Sequence, residues 1–128
     1  VWLTTVESEV PSVIKEKMVA ANSSQTTRSR SRTGKHSRQL ISPWTDAWES
    51  ENAPDPLPMP LQPMVAEPAL QKVNKLAESG HDGAKDLATY WVGQGVGLMN
   101  QSISASDVVQ DFKEDFVEAY ERLTGFVS

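Results

Sequence analysis

Few residues in this chain carry chemistry, and most of them fall in two short stretches. The first is Tyr90-Trp91-Val92-Gly93-Gln94-Gly95-Val96-Gly97, where two aromatic rings and one amide stand among three glycines. Three glycines so close together cost about 1 kcal/mol each relative to alanine in a helix, which a sequence tolerates where another backbone or a ligand approaches closely. The run is not a dinucleotide-binding fingerprint, because that motif follows a strand and precedes a ribose-binding acid within a βαβ unit. The second stretch is Arg28-Ser29-Arg30-Ser31-Arg32-Thr33-Gly34-Lys35-His36-Ser37-Arg38. It reads as a solvated basic strand edge, as an interface with acidic residues or a second subunit, or as a phosphate-binding strip. No aromatic residue lies within it for base stacking, which argues against a nucleic-acid partner.

Other chemistry is poorly provided for. The two histidines, His36 and His81, each sit beside a glycine-containing turn, where an exposed position is the default. Two histidines do not complete a metal site, no Ser–His–acid triad is suggested, and the adjacent His81-Asp82 point in different directions. The chain has no cysteine, which excludes a disulfide framework, thiolate metal sites and a cysteine nucleophile.

Read together, Thr33-Gly34-Lys35-His36-Ser37-Arg38-Gln39-Leu40, Ser42-Pro43-Trp44-Thr45-Asp46-Ala47-Trp48, Pro58-Met59-Pro60-Leu61-Gln62 and Tyr90 to Asn100 resemble the C-terminal stretch of the nitronate monooxygenase (2-nitropropane dioxygenase-like) family. The resemblance runs over nearly the whole chain. It implies the C-terminal part of an FMN-binding (β/α)8 barrel whose own strands are incomplete here, since such a barrel takes ~250 residues and this chain has 128. It further implies an FMN cofactor and a small nitroalkane or nitronate substrate in the intact enzyme, oxidised with dioxygen to a carbonyl compound and nitrite. In the family the Trp-x-Gly-Gln segment returns to the barrel mouth, so the resemblance places Gln94 beside the cofactor and Tyr90 and Trp91 in the substrate pocket. Gly34 and Arg38 match a family motif of structural character. The catalytic histidine and the phosphate-binding loops have no counterpart here, so no catalytic residue is assigned, and the chain alone is expected to be inactive and unable to hold FMN. A relative of the FMN-dependent enoyl reductases is the nearest enzymatic alternative. A stand-alone helical interaction module and an inactive remnant are the non-enzymatic ones.

The elements that must position these residues follow from the pattern. Val1-Trp2-Leu3 reads as the end of a buried strand, with Thr4 and Thr5 able to cap a helix. Val10, Ile14, Met18 and Ala21 predict a helix from about Pro11 to Ala21. Alternating Arg and Ser predict an extended or hairpin segment over 26–41 with Gly34 at its turn. Six prolines make 42–63 an irregular arm, in which Trp44 and Trp48 share one face of a short helical turn. Helices are expected over 66–79, closed by Gly80, over 84–99 after a His81-Asp82-Gly83 turn, and from a Ser104 cap to about residue 124. The last would lay its stripe of Val109, Phe112, Phe116, Tyr120 and Leu123 on helix 84–99. The fold class is thus mainly α with a short strand or hairpin, divided into a barrel end (1–41), a Pro-rich arm (42–63) and a C-terminal helical subdomain (64–128).

Charge divides the chain in a similar place. Residues 1–41 carry +4 and residues 42–128 carry −9, within a net charge of −5. Hydrophobic residues make up 38%, so any core will be thin. No window approaches the ~20 apolar residues of a membrane helix and no signal peptide is visible, which gives a cytoplasmic reading without a membrane partner. Oligomeric state is not legible.

Overall fold

The computed structural model describes all 128 residues, as a mainly helical chain with one two-stranded hairpin. Helix α1 spans Ser12–Ala20, strands β1 and β2 span Thr26–Ser29 and Ser37–Leu40, and helices α2 to α5 span Pro43–Glu49, Leu61–Glu78, Asp82–Leu87 and Ala105–Gly125. The strands pair antiparallel with Thr26 opposite Leu40 and Ser29 opposite Ser37. The core is small: Val13, Ile14, Met18, Leu40, Ala77, Ala84, Ala88 and Val96 form its central cluster. Three of these eight are alanines, so backbones rather than long side chains fill the space.

Several expectations hold. Helix α1 lies within a residue of the predicted bounds, and the hairpin falls inside 26–41 with Gly34 in its loop at φ +78°. Helix α2 brings Trp44 and Trp48 together, their centroids 6.2 Å apart. Gly80 closes α3 at φ +96°. Ser104 caps α5, its hydroxyl accepting from the Asp107 N–H at 3.0 Å.

Others are corrected. Val1, Trp2 and Leu3 are exposed, and Trp2–Thr4 is a 3-10 turn rather than a strand end. Thr4 and Thr5 donate their hydroxyls back to the Val1 and Trp2 carbonyls at 2.8 and 2.9 Å, closing that turn instead of opening a helix. The basic strip is not one extended edge, because β1 ends at Ser29 and the chain turns inward at Ser31 and Arg32 before Lys35 and His36 return to the surface. Helix α3 starts at Leu61, inside the predicted arm. Pro63 is accommodated in its first turn, where N–H groups have no intrahelical acceptor. Pro68 interrupts its interior on an exposed face, where water can serve the freed carbonyl.

The largest correction concerns 84–99, which is not a helix. His81 caps the short α4, its Nδ1 accepting from the Ala84 N–H at 3.2 Å, so the expected His81-Asp82-Gly83 turn is the start of that helix. The chain then runs extended from Ala88, and a second 3-10 segment covers Gln94–Leu98. The reason lies in the free edge of β2. The Leu40 N–H donates to the Tyr90 carbonyl and the Val92 N–H to the Arg38 carbonyl, both at 3.1 Å, so residues 90–92 run along β2 in place of helical hydrogen bonds. Of the three glycines only Gly97 meets a close backbone, where an added Cβ would lie 2.8 Å from the Ser23 nitrogen. Without helix 84–99 the apolar stripe of α5 lacks the helix it was expected to lie on. Val108 is the one buried residue of α5, and Phe112, Phe116, Tyr120 and Leu123 are exposed.

Two contacts hold the layers together. Lys17 on α1 donates from Nζ to the Asp86 and Ala88 carbonyls at the end of α4, both at 2.8 Å. Burial lowers the pKa of this ammonium, and Asp86 offsets part of the effect. Between the lowered value and the ordinary 10.5 the unfolded chain holds more protons, so stability rises with pH there. Urea titrations across that window should show the rise in the wild type and its loss in Lys17→Met. The second contact is at Gly34, where a Cβ would lie 2.2 Å from the Leu57 carbonyl oxygen. Gly34→Ala is expected to cost at least ~1–3 kcal/mol in denaturant titration from the left-handed backbone alone. Gly95→Ala, with nothing within 4 Å, should cost far less.

Candidate functional site

The hairpin loop carries a buried polar seam that aims Arg32 at the chemistry-bearing segment. Ser29 Oγ accepts from the Ser31 N–H at 3.1 Å and donates to Glu49 Oε1 at 3.0 Å. Gln39 is fully buried and donates from Nε2 to the Ser29 carbonyl at 3.4 Å and to Ser37 Oγ at 3.3 Å. Gln62, at the start of α3, donates to the Ser31 carbonyl at 2.7 Å and accepts from the Leu57 N–H at 2.9 Å. One amide therefore joins the loop, the arm and α3.

Arg32 leaves this seam with its guanidinium clamped. Nε and one terminal nitrogen donate to the two oxygens of Glu67 at 2.6 and 3.0 Å, a bidentate pair between hairpin loop and α3. The guanidinium carbon lies 3.7 Å from the centroid of the Trp91 ring and 5.1 Å from that of Tyr90. The two rings meet edge to face, 5.7 Å apart at 74°. Their backbone is fixed by pairing to β2, and Thr89 adds a hydroxyl bond to the Leu40 carbonyl at 2.7 Å. Tyr90 is half-buried and Trp91 is 37% exposed, so the indole keeps open surface.

Of the residues singled out in the sequence, the fold thus unites Tyr90 and Trp91. Gln94 stands exposed at the first position of the second 3-10 segment, and its side chain has no hydrogen-bond partner within the chain. None of the chain's surface clefts is lined by these three residues, so they form an open face. Arg38 donates to Thr26 Oγ1 at 2.8 Å, and Arg30 donates to the Gly34 carbonyl at 3.1 Å and the Pro56 carbonyl at 3.4 Å. Three of the four arginines of the strip are therefore engaged within the chain. His36 and His81 are both exposed, and no group of three or more His, Asp or Glu side chains could hold a metal. Sequence reasoning missed Arg32, Glu67, Gln39 and Gln62. Arg32 looks like its neighbours in the Arg–Ser alternation, and only the inward turn after Ser29 separates it from them.

The fold is shared with known proteins. A sequence model of nitronate monooxygenase matches residues 1–115. The chain is 48% identical over its length to the Mycobacterium tuberculosis (strain H37Rv) protein named "Putative monooxygenase Rv1533", covering 34% of that protein. In structure it is similar to FabK from Thermotoga maritima, with a TM-score of 0.65 at 29% identity, over 98% of this chain and 37% of that one. A mutant of the same FabK gives a TM-score of 0.61 at 25% identity. The chain belongs to the nitronate monooxygenase family. It spans about a third of the length of these relatives.

The seam gives a direct stability test. Gln62→Leu leaves the Ser31 carbonyl and the Leu57 N–H without their partner, at an expected cost of about 1–3 kcal/mol in urea unfolding.

Proposed function

We propose that this chain is part of an FMN-dependent nitronate monooxygenase, which oxidises alkyl nitronates with dioxygen to a carbonyl compound and nitrite. The observation that carries the reading is the family match over residues 1–115, within which residues 90–92 lie along β2 and Gln94 follows on an exposed 3-10 segment. In this reading residues 1–41 close the barrel, 42–63 form the arm and 64–128 the C-terminal subdomain of a longer cytoplasmic protein. Its partners are FMN and a small nitroalkane or nitronate, with neither nucleic acid nor membrane. No helix here is long and apolar enough to cross a membrane, and the basic strip is largely engaged inward.

The residues present fit one part of FMN and not another. Gln94 offers a free amide, able to donate or accept at the edge of a flavin ring or to donate to a nitro oxygen. Tyr90 and Trp91 offer aromatic surface for a wall of the substrate pocket. The phosphate is not served by the basic strip, where Arg30, Arg32 and Arg38 already have partners within the chain. Bound FMN supplies the redox centre. This chain's share is to orient the substrate and to keep water from one side of the pocket, while phosphate recognition and the catalytic base belong to other parts of the longer protein.

The likeness to the two FabK chains supports a second reading, an FMN-dependent enoyl reductase of the same barrel group. The full-length protein containing this chain separates the two. We expect nitrite release and dioxygen uptake with an alkyl nitronate. Reduction of an enoyl thioester by a reduced nicotinamide, without nitrite, would replace the first reading by the second. Gln94→Ala should lower kcat/KM for the nitronate about tenfold or more, the scale of one lost transition-state hydrogen bond.

A further inference from the structure

Arg32 has more holding it than a structural ion pair requires. Its side chain is 6% exposed, and a guanidinium so removed from water needs acceptors for every N–H. Glu67 takes the edge formed by Nε and one terminal nitrogen. The other terminal nitrogen is buried and has no hydrogen-bond acceptor. The electron-rich groups beside the guanidinium, apart from Glu67, are the Tyr90 and Trp91 rings. Cation–π attraction is therefore what offsets the burial of that end.

We propose that Arg32, held by Glu67, is a positioning residue that fixes the ring planes of Tyr90 and Trp91; its consequence for catalysis rests on the nitronate reading above. Pairing to β2 sets where the backbone of 90–92 lies but leaves the side-chain torsions free. Trp91 is 37% exposed, so packing encloses only part of its ring, and the planar cation 3.7 Å from the ring centroid supplies the contact that holds its plane. Glu67 is needed because an unpaired guanidinium would turn toward water. Lysine cannot substitute, since a point charge neither stacks as a plane nor engages a carboxylate with a fork. The site is thus built from three separated segments, with the pair from the loop and α3 standing behind the aromatic residues and acting through them.

The test uses the full-length flavin-loaded protein labelled with 5-fluorotryptophan, with the Trp91 fluorine resonance assigned by its loss in Trp91→Phe. In Arg32→Met and Glu67→Gln the Trp91 resonance should shift or broaden while those of Trp44 and Trp48 stay in place. KM for an alkyl nitronate should rise about tenfold with a smaller change in kcat, and Arg32→Lys should recover only part of the loss. Should Arg32→Met fail to fold, Glu67→Gln and Arg32→Lys carry the same readouts. A Trp91 resonance that does not move in a folded variant overturns the proposal. So does a general shift of Trp44 and Trp48 with it, or a displaced Trp91 with unchanged KM and kcat. A wild type that does not turn over nitronate strikes the functional reading instead, and the fluorine spectra then decide the positioning role alone.

Discussion

A guanidinium taken out of water must be paired, and the way Arg32 is paired organises the open aromatic face of this chain. Removing the charge from solvent costs several kcal/mol, and no single contact at this site offsets that. Glu67 supplies a bidentate carboxylate from α3, and Tyr90 and Trp91 supply aromatic faces from the segment after α4. Three stretches distant in sequence must therefore be in place together. The ion pair also joins the basic N-terminal third to the acidic remainder, and it is the one salt bridge that crosses between them.

The surrounding structure can be understood as support for that point. Arg32 reaches its place because the loop after Ser29 turns inward, and the loop turns inward because Gln39 and Gln62 satisfy its buried polar groups. Gly34 lets the arm approach to a distance that a Cβ would forbid. The arm in turn delivers Gln62 and, five residues on, Glu67 at the start of α3. A core in which three of eight central residues are alanine has little apolar area to lose. The polar seam therefore carries an unusual share of the specificity of this fold.

Much of this was legible in the sequence, for identifiable reasons. Helix α1, the hairpin, the Trp44–Trp48 turn and the Ser104 cap are local: periodicity, a glycine turn or a capping hydroxyl decides each within a few residues. The failure at 84–99 has the opposite origin. Apolar residues at near-helical spacing suggested a helix, but β2 has a free edge that Tyr90 to Val92 can pair with, and that partner lies fifty residues away. The same long-range pairing brings Tyr90 and Trp91 together and leaves Gln94 on an exposed 3-10 segment. Arg32 was indistinguishable from Arg28 and Arg30 by spacing, since nothing local tells which of three alternating arginines turns inward. Family resemblance reached the Trp-x-Gly-Gln face, whereas the groups behind it became visible only in three dimensions.

We propose that the Arg32-backed face of Tyr90 and Trp91 borders the flavin site of the longer protein. Time-resolved flavin fluorescence of the flavin-loaded full-length protein tests this most directly, because an adjacent indole quenches an excited flavin by electron transfer. Trp91→Phe is expected to lengthen the flavin lifetime while Trp44→Phe leaves it unchanged. An unchanged lifetime in Trp91→Phe, with flavin still bound, would contradict it.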